Sequence, residues 1–141
     1  MRSFKIEIKG NPCLQKRHRT TRTGHTYDPS SPDKADVISL MHLQAPKKPF
    51  KRAISVNLLF YMPRPKSHYR TGKFSNDLKP HAPIWHTTRT GDIDNLAKFY
   101  LDCMSNNVVM NDDCQVCVLT SKKIYSDSPK TVITVKEIDE C

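Results

Sequence analysis

The sequence predicts an α+β fold: a small mixed β-sheet with two main helices, in the order β-α-β-(long loop)-α-β-β. Two observations carry this. Residues 4–9, 52–62, 115–125 and 131–138 concentrate apolar and β-branched side chains, alternating with polar ones in the first and last of them. Residues 33–44 and 94–104 instead space their apolar residues three or four apart. At 141 residues the chain fits one domain around a single modest core.

The first strand sets Phe4, Ile6 and Ile8 against Lys5, Glu7 and Lys9, the pattern of a half-buried strand. After Gly10-Asn11-Pro12 comes a basic stretch over residues 16–27 without apolar periodicity, predicted to be an extended loop or hairpin. It holds Lys16, Arg17, Arg19 and Arg22 with His18 and His25 inside ten residues, which favours a phosphate-contacting arm over an ordinary solvated loop. The first helix is expected over 33–44, with Ser30, Ser31 or Asp33 placed to cap it, Pro32 at its entrance and Pro46 beyond its end. Residues 52–62 read as a largely buried strand. Four prolines and scattered cations mark residues 63–90 as a long loop, with Arg64, Lys66, Arg70, Lys73 and Arg89 among His68, Tyr69, His81, Trp85 and His86. Basic groups between aromatics suit contacts to a nucleic-acid backbone and stacking on unpaired bases. Trp85 reads equally as a stacking platform or as the core anchor of the loop. The second helix, 94–104, is the clearest, with Asp94 at or near its N-cap. Two strands close the chain around Ser126-Asp127-Ser128-Pro129 and are expected to pair as a hairpin.

Composition narrows the function. No run of about 18 apolar residues exists, so no membrane span is expected. The first residues lack the apolar core of a signal peptide, which makes an intracellular, cytoplasmic location the default expectation. The five cysteines (Cys13, Cys103, Cys114, Cys117 and Cys141) are odd in number and irregularly spaced, which argues against a disulfide framework. Cys114-Gln115-Val116-Cys117 reads as two small apolar residues in a strand, and no second pair completes a zinc set. The net charge is +9, but it is divided: residues 1–91 carry +13 and residues 92–141 carry −4. The basic part is the footprint of a polyanion partner.

A carboxylate cluster inside such a chain repels phosphate unless a divalent metal lies between them. Asp92 and Asp94 are separated by one residue and share a side if that segment is extended. Asp113 follows 19 residues after Asp94, across one helix and a short connection that is expected to bring it back to the same end. Three carboxylates meeting there make a hard-oxygen site for Mg²⁺, with Mn²⁺ as a substitute, and their repulsion raises at least one carboxyl pKa. Lys98 lies one turn after Asp94, either as a surface ion pair or as a cation for the charge that builds on a reacting phosphate. Asn95 either supports a carboxylate or caps the helix. Taken alone, D-x-D-N is a weak signal, because Asp and Asn also favour turns.

The whole set is more specific. Gly91-Asp92-Ile93-Asp94-Asn95-Leu96-Ala97-Lys98, then Leu101-Asp102, then Asn111-Asp112-Asp113-Cys114-Gln115-Val116 resembles the pattern D-x-D-N-x-x-K, L-D, D-D-x-Q-V/I of the RusA family of Holliday-junction resolvases. Residues 62–70 are similar to a basic segment of phage-type members, and residues 10–30 to their basic arm. The resemblance implies a homodimeric, Mg²⁺-dependent endodeoxyribonuclease that nicks four-way DNA junctions symmetrically in recombination and repair. It implies metal-binding catalytic roles for Asp92, Asp94 and Asp113, a catalytic role for Lys98, and makes Asp112 the match to the first of the paired aspartates. The chain departs from the short members in its long loop before the motif. Two other readings stay open: a non-catalytic basic module that binds DNA, and a nuclease acting on other branched DNA or on RNA.

Overall fold

In a computed structural model describing residues 2–139, the elements are β1 (Ser3–Lys9), β2 (Arg19–Thr20), β3 (Thr26–Tyr27), α1 (Ser31–Gln44), β4 (Ile54–Pro63), α2 (Ile93–Met104), β5 (Val116–Ser126) and β6 (Lys130–Glu137). The main elements follow the expected order. β2 and β3 add a short antiparallel ladder at the end of the basic arm. The expected α+β architecture holds: four strands form one mixed sheet in the order β1-β6-β4-β5.

The expected hairpin between the last two strands does not form. β4 lies between β5 and β6, parallel to the first and antiparallel to the second. The cause lies in β4 itself. Ile54, Val56, Leu58, Phe60 and Met62 are all buried on one face, so β4 gains most from a neighbour on each side. The connection through residues 127–129 therefore crosses the end of β4, a distance of two strand spacings or roughly 10 Å, within the reach of so short an extended segment. β5 takes the edge, where Thr120 and Lys122 stay in water.

Both helices cover the same face of the sheet. Ile6 and Ile8 of β1, Ile133 and Val135 of β6 and the five buried residues of β4 meet Val37 and Met41 from α1 and Leu96, Phe99, Tyr100, Cys103 and Met104 from α2. Phe60 and Tyr100 touch ring to ring at 5.6 Å, in the middle of this layer. β4 is thus buried on one face and not on both: Asn57 is exposed and Ser55, Leu59 and Tyr61 are half-buried. α1 begins at Ser31, before the expected residue 33. Ser30 stands at its N-cap position, but its hydroxyl is occupied elsewhere, accepting from the Lys16 backbone N–H at 2.8 Å. The helix stops at Gln44 because Ala45 is extended ahead of Pro46.

The long loop is held by short local structure. It contains 3₁₀ turns at Lys66–His68 and Gly72–Phe74, and isolated bridges join Tyr69 to Leu78 and Trp85 to Ile124. Backbone bonds on either side of Trp85 anchor the loop near the end of β5, Tyr125 N–H donating to the Ile84 carbonyl at 2.9 Å and His86 N–H to the Lys123 carbonyl at 3.3 Å, while the indole is 58% exposed. His86 is the side chain that goes inward.

Candidate active site at the start of the second helix

α2 is built to hold a polar stripe steady. Its buried side carries six residues from Leu96 to Met104, and Asp94, Asn95 and Lys98 project from the other side. The turn into the helix is fixed from below. Gly91 has φ +145°, a conformation that side chains rarely adopt, and a Cβ there would lie 3.1 Å from His86 Cε1 and 3.2 Å from the Met62 methyl. Lys123 Nζ, reaching from β5, donates to the Gly91 carbonyl at 2.6 Å. Burial lowers the pKa of His86, and the charge of Lys123 lowers it further, so its imidazole is held toward the neutral form.

Asp92, not Asp94, occupies the N-cap position, and its side chain makes no capping bond. Its carbonyl accepts the first helical hydrogen bond, from Leu96 N–H at 3.0 Å. Asp94 lies in the first turn, where Oδ1 accepts from Asn95 N–H at 2.9 Å. Both carboxylates are exposed, and neither takes part in an ion pair among the described residues. The positive end of the helix dipole favours them where they stand.

Opposite them lies the base of the basic arm. Gln15 N–H donates to the Asn95 carbonyl at 3.2 Å, which clips the arm to α2. Gln15, Lys16, Arg17, His18, Asp92, Asp94, Asn95 and Lys98 line one open cleft of about 600 Å³. The neck of the arm is closed by Gln15 Nε2 donating to Asp28 Oδ1 at 2.9 Å and by Lys34 Nζ at 2.7 Å from Asp28 Oδ2. The hydrogen bond from Lys34 does most to hold the Asp28 carboxyl down, at a pKa of about 2. Burial works against the charge of Lys34, but its bonds to Asp28 and Asp102 outweigh that and raise its pKa.

Asp113 is elsewhere. After α2, Asn106 (φ 59°) and Asn107 (φ 67°) reverse the chain, and Val108, Val109 and Met110 are buried at that same end of the helix. The connection therefore folds up under the C-terminal end and does not run back along the helix, correcting the expected return. The length of α2, about 18 Å, separates the two groups of carboxylates. Asp113 lines a different cleft with Asp102, Asp112 and Lys34. Its carboxyl pKa is raised, first by its hydrogen bond with Asp112, then by burial and the nearby negative charges; that of Asp112 is correspondingly lowered. The raised carboxyl pKa thus comes from the pair Asp112 and Asp113 at this end of the helix, not from the three carboxylates expected to meet at the other. Asp112 also has local work. It caps the 3₁₀ turn Asp113–Gln115, accepting from Cys114 N–H, and Gln115 Nε2 ties the turn to the carbonyls of Phe50 and Arg52 at 2.9 and 3.0 Å. Among the described residues, no group of three or more His, Cys, Asp or Glu side chains is arranged to hold a metal by itself.

The other sequence candidates divide. Lys16 and Arg17 are in the cleft; Arg19 and Arg22 lie further out on the arm and are exposed. Lys66, Arg70, Lys73 and Arg89 are exposed on the loop, with Arg70 and Lys73 over the Phe74 ring at 4.1 and 5.2 Å. Arg64 is turned inward, donating to the Pro83 carbonyl at 2.7 Å and lying over the Tyr125 ring. Cys114 belongs to a 3₁₀ turn and not to a strand; it and Cys117 are free and exposed. Cys141 lies outside the described residues. Sequence reasoning passed over Lys123 and Gln15. The first had a signal, since Lys122-Lys123 interrupts an apolar strand; the second had none.

Residues 9–136 match the protein family described as Endodeoxyribonuclease RusA. The chain belongs to the RusA family. Membership makes it a nuclease of a family that acts on DNA. A second similarity runs the length of the chain: it is 28% identical over 143 residues to the uncharacterized protein YqaN of Bacillus subtilis (strain 168), covering 98% of this chain and 99% of that protein. The RusA match spans both the acidic turn at Asp92 and Asp94 and the basic arm across the cleft. No helix among the described residues is long and apolar enough to cross a membrane.

Proposed function

We propose that this RusA-family chain is a Mg²⁺-dependent endonuclease that resolves four-way DNA junctions by paired symmetric nicks, acting as a homodimer in recombination and repair. The observation that carries the reading is the shared cleft, where free carboxylates of Asp92 and Asp94 face Lys16, Arg17 and Lys98. The donor set fits the metal. Mg²⁺ is held by one or two carboxylates with water and substrate phosphate completing the shell, and the amides of Gln15 and Asn95 line the same cleft. Asp92 and Asp94 would hold the ion, which when bound supplies an activated water and neutralises charge at the leaving oxygen. Lys98 neutralises the non-bridging oxygens of the phosphate under attack. Lys16 and Arg17 hold the neighbouring backbone, and the clip from Gln15 to Asn95 keeps their distance from the carboxylates constant.

Two symmetric cuts need two sites related by a two-fold axis. The outer edge of β5 over residues 116–122 carries no partner strand among the described residues, and Val118 and Leu119 are 49% and 46% exposed along it. Antiparallel pairing of this edge with a second copy, centred near Leu119, lays the start of one β5 beside the end of the other. Such pairing would bring Asp113 of each chain toward Asp92 and Asp94 of the partner subunit, adding a third carboxylate to the pair.

The test is a synthetic four-way junction incubated with Mg²⁺ and either the wild type or Asp94→Asn, alongside flap, fork, linear and RNA substrates. Paired nicks in the junction by the wild type alone are expected. An intact junction at every protein and metal concentration overturns the reading, and preferential cutting of another substrate moves the specificity there.

A further inference from the structure

At the end of the sheet away from the cleft lies a second concentration of positive charge. The connection from α1 to β4 carries Lys47, Lys48, Lys51 and Arg52, and Arg2 joins them from the chain start. Among the described residues, none of these five has a carboxylate within ion-pair distance. Arg2, Lys48, Lys51 and Arg52 line one cleft, in which Glu137 is the one carboxylate among the described residues. Asp112 and Asp113 line a separate cleft, on the turn that Gln115 ties to the carbonyls of Phe50 and Arg52.

The backbone beneath these cations is fixed. Phe50 is fully buried, its N–H donates to the Val109 carbonyl at 2.8 Å, and its own carbonyl accepts from Asn111 N–H and from Gln115 Nε2. Gln115 grips the Arg52 carbonyl as well. The Arg2 guanidinium stacks on the Phe50 ring at 4.3 Å and bonds to the Lys48 carbonyl. A cation cluster on a pinned segment, with no ion-paired carboxylate among the described residues, is a stronger attractor for a polyanion than the same charges on a loose loop, because less freedom is lost on binding.

We infer that Lys48, Lys51 and Arg52 form a second phosphate-binding surface, which grips the backbone of a duplex DNA arm at a distance from the strand that is cut. β4 runs from this surface to Met62 under Gly91, so the two regions are about 30 Å apart, roughly nine base pairs of duplex. One arm can therefore touch both. The inference rests on the DNA substrate of the family and not on junction cleavage, since binding alone tests it.

The experiment compares wild type with the triple variant Lys48→Gln/Lys51→Gln/Arg52→Gln, by fluorescence anisotropy in metal-free buffer, on duplexes of about 24 and about 6 base pairs. On the long duplex the variant is expected to bind roughly tenfold more weakly at 100 mM salt, with the slope of log K against log salt reduced by about two to three. On the short duplex the two proteins should bind alike. The turnover rate with saturating substrate and metal should not change. A charge reversal, Lys48→Glu with Lys51→Glu, should deepen the loss on the long duplex only. Equal affinity and equal slope on the long duplex overturn the inference and leave an acidic protein as the partner to seek. An equal loss at both lengths also overturns it, because the surface would not then lie a fixed distance from the first contact.

Discussion

At the N-terminal end of α2, Asp92 and Asp94 stand exposed with no cation bonded to either among the described residues. At its C-terminal end Asp102 is bonded to Lys34 at 3.1 Å, and Asp112 caps a turn. The two ends carry the same side chain and use it differently. One set is left without an ion pair among the described residues and faces a basic arm. The other is largely consumed in holding the fold, except that Asp113 is pressed against Asp112 with its pKa raised. Carboxylates that no cation of their own chain holds in an ion pair, among the described residues, are the ones available to a metal and a phosphate.

The largest expected effect breaks the comparison at its free end. Asp94→Asn should lower junction cleavage by at least about 10²–10³-fold while the melting temperature stays within a degree or two, measured by single-turnover kinetics and thermal unfolding. Asp113→Asn sharpens it from the other end. If Asp113 completes the partner's site, cleavage falls as far as in Asp94→Asn, yet the protein melts at or above the wild-type temperature because a repulsion has been relieved. Retained cleavage in that variant would confine the site to one subunit. Lys98→Met should cost about 10²-fold in turnover with little change in KM. Gln115→Ala should leave the free end untouched and cost about 1–2 kcal/mol of stability, since two carbonyls and two N–H groups lose their partner; chemical denaturation reads this. The smallest effect concerns the neck of the arm. The Asp28 carboxyl lies near 2 in the folded chain and near 3.8 unfolded, so the unfolded state binds more protons between these values. Its stabilisation is complete above about pH 4 and is lost as pH falls toward 2. Asp28→Asn should flatten that part of the acid-unfolding curve.

The helices and strands were legible because each obeys a short-range rule. Leu96, Phe99 or Tyr100 and Cys103 show helical spacing, and Phe4, Ile6 and Ile8 show strand spacing, whatever lies across the fold. The free end of the site was legible too, because Asp92, Asp94 and Lys98 sit within two turns of one helix. What was not legible depends on pairing at a distance. Nothing in residues 116–137 alone reveals that β4 enters between the last two strands, since that is decided by how much apolar surface β4 has to bury. The position of Asp113 turned on two asparagines with positive φ and on three buried residues after them, a local reversal that spacing alone does not distinguish from a return run. Trp85 was undecided for a similar reason: the backbone bonds of its neighbours Ile84 and His86 anchor the loop, while its own ring is largely exposed.

The place of β6 has a consequence for how the chain folds. β6 follows the other described strands in chain order, yet it is not an edge strand; it lies between β1 and β4, paired with both. Until residues 130–137 exist, β1 has no strand to pair with and the core face of β4 is bounded on one side only. Sheet closure therefore waits on contacts between the two ends of the sequence, which makes folding slow relative to a helical bundle of this size. A partly made chain exposes the apolar edge of β4, whose pairing with another molecule is the hazard of that interval. Removing β6 would not trim the sheet. It would divide it.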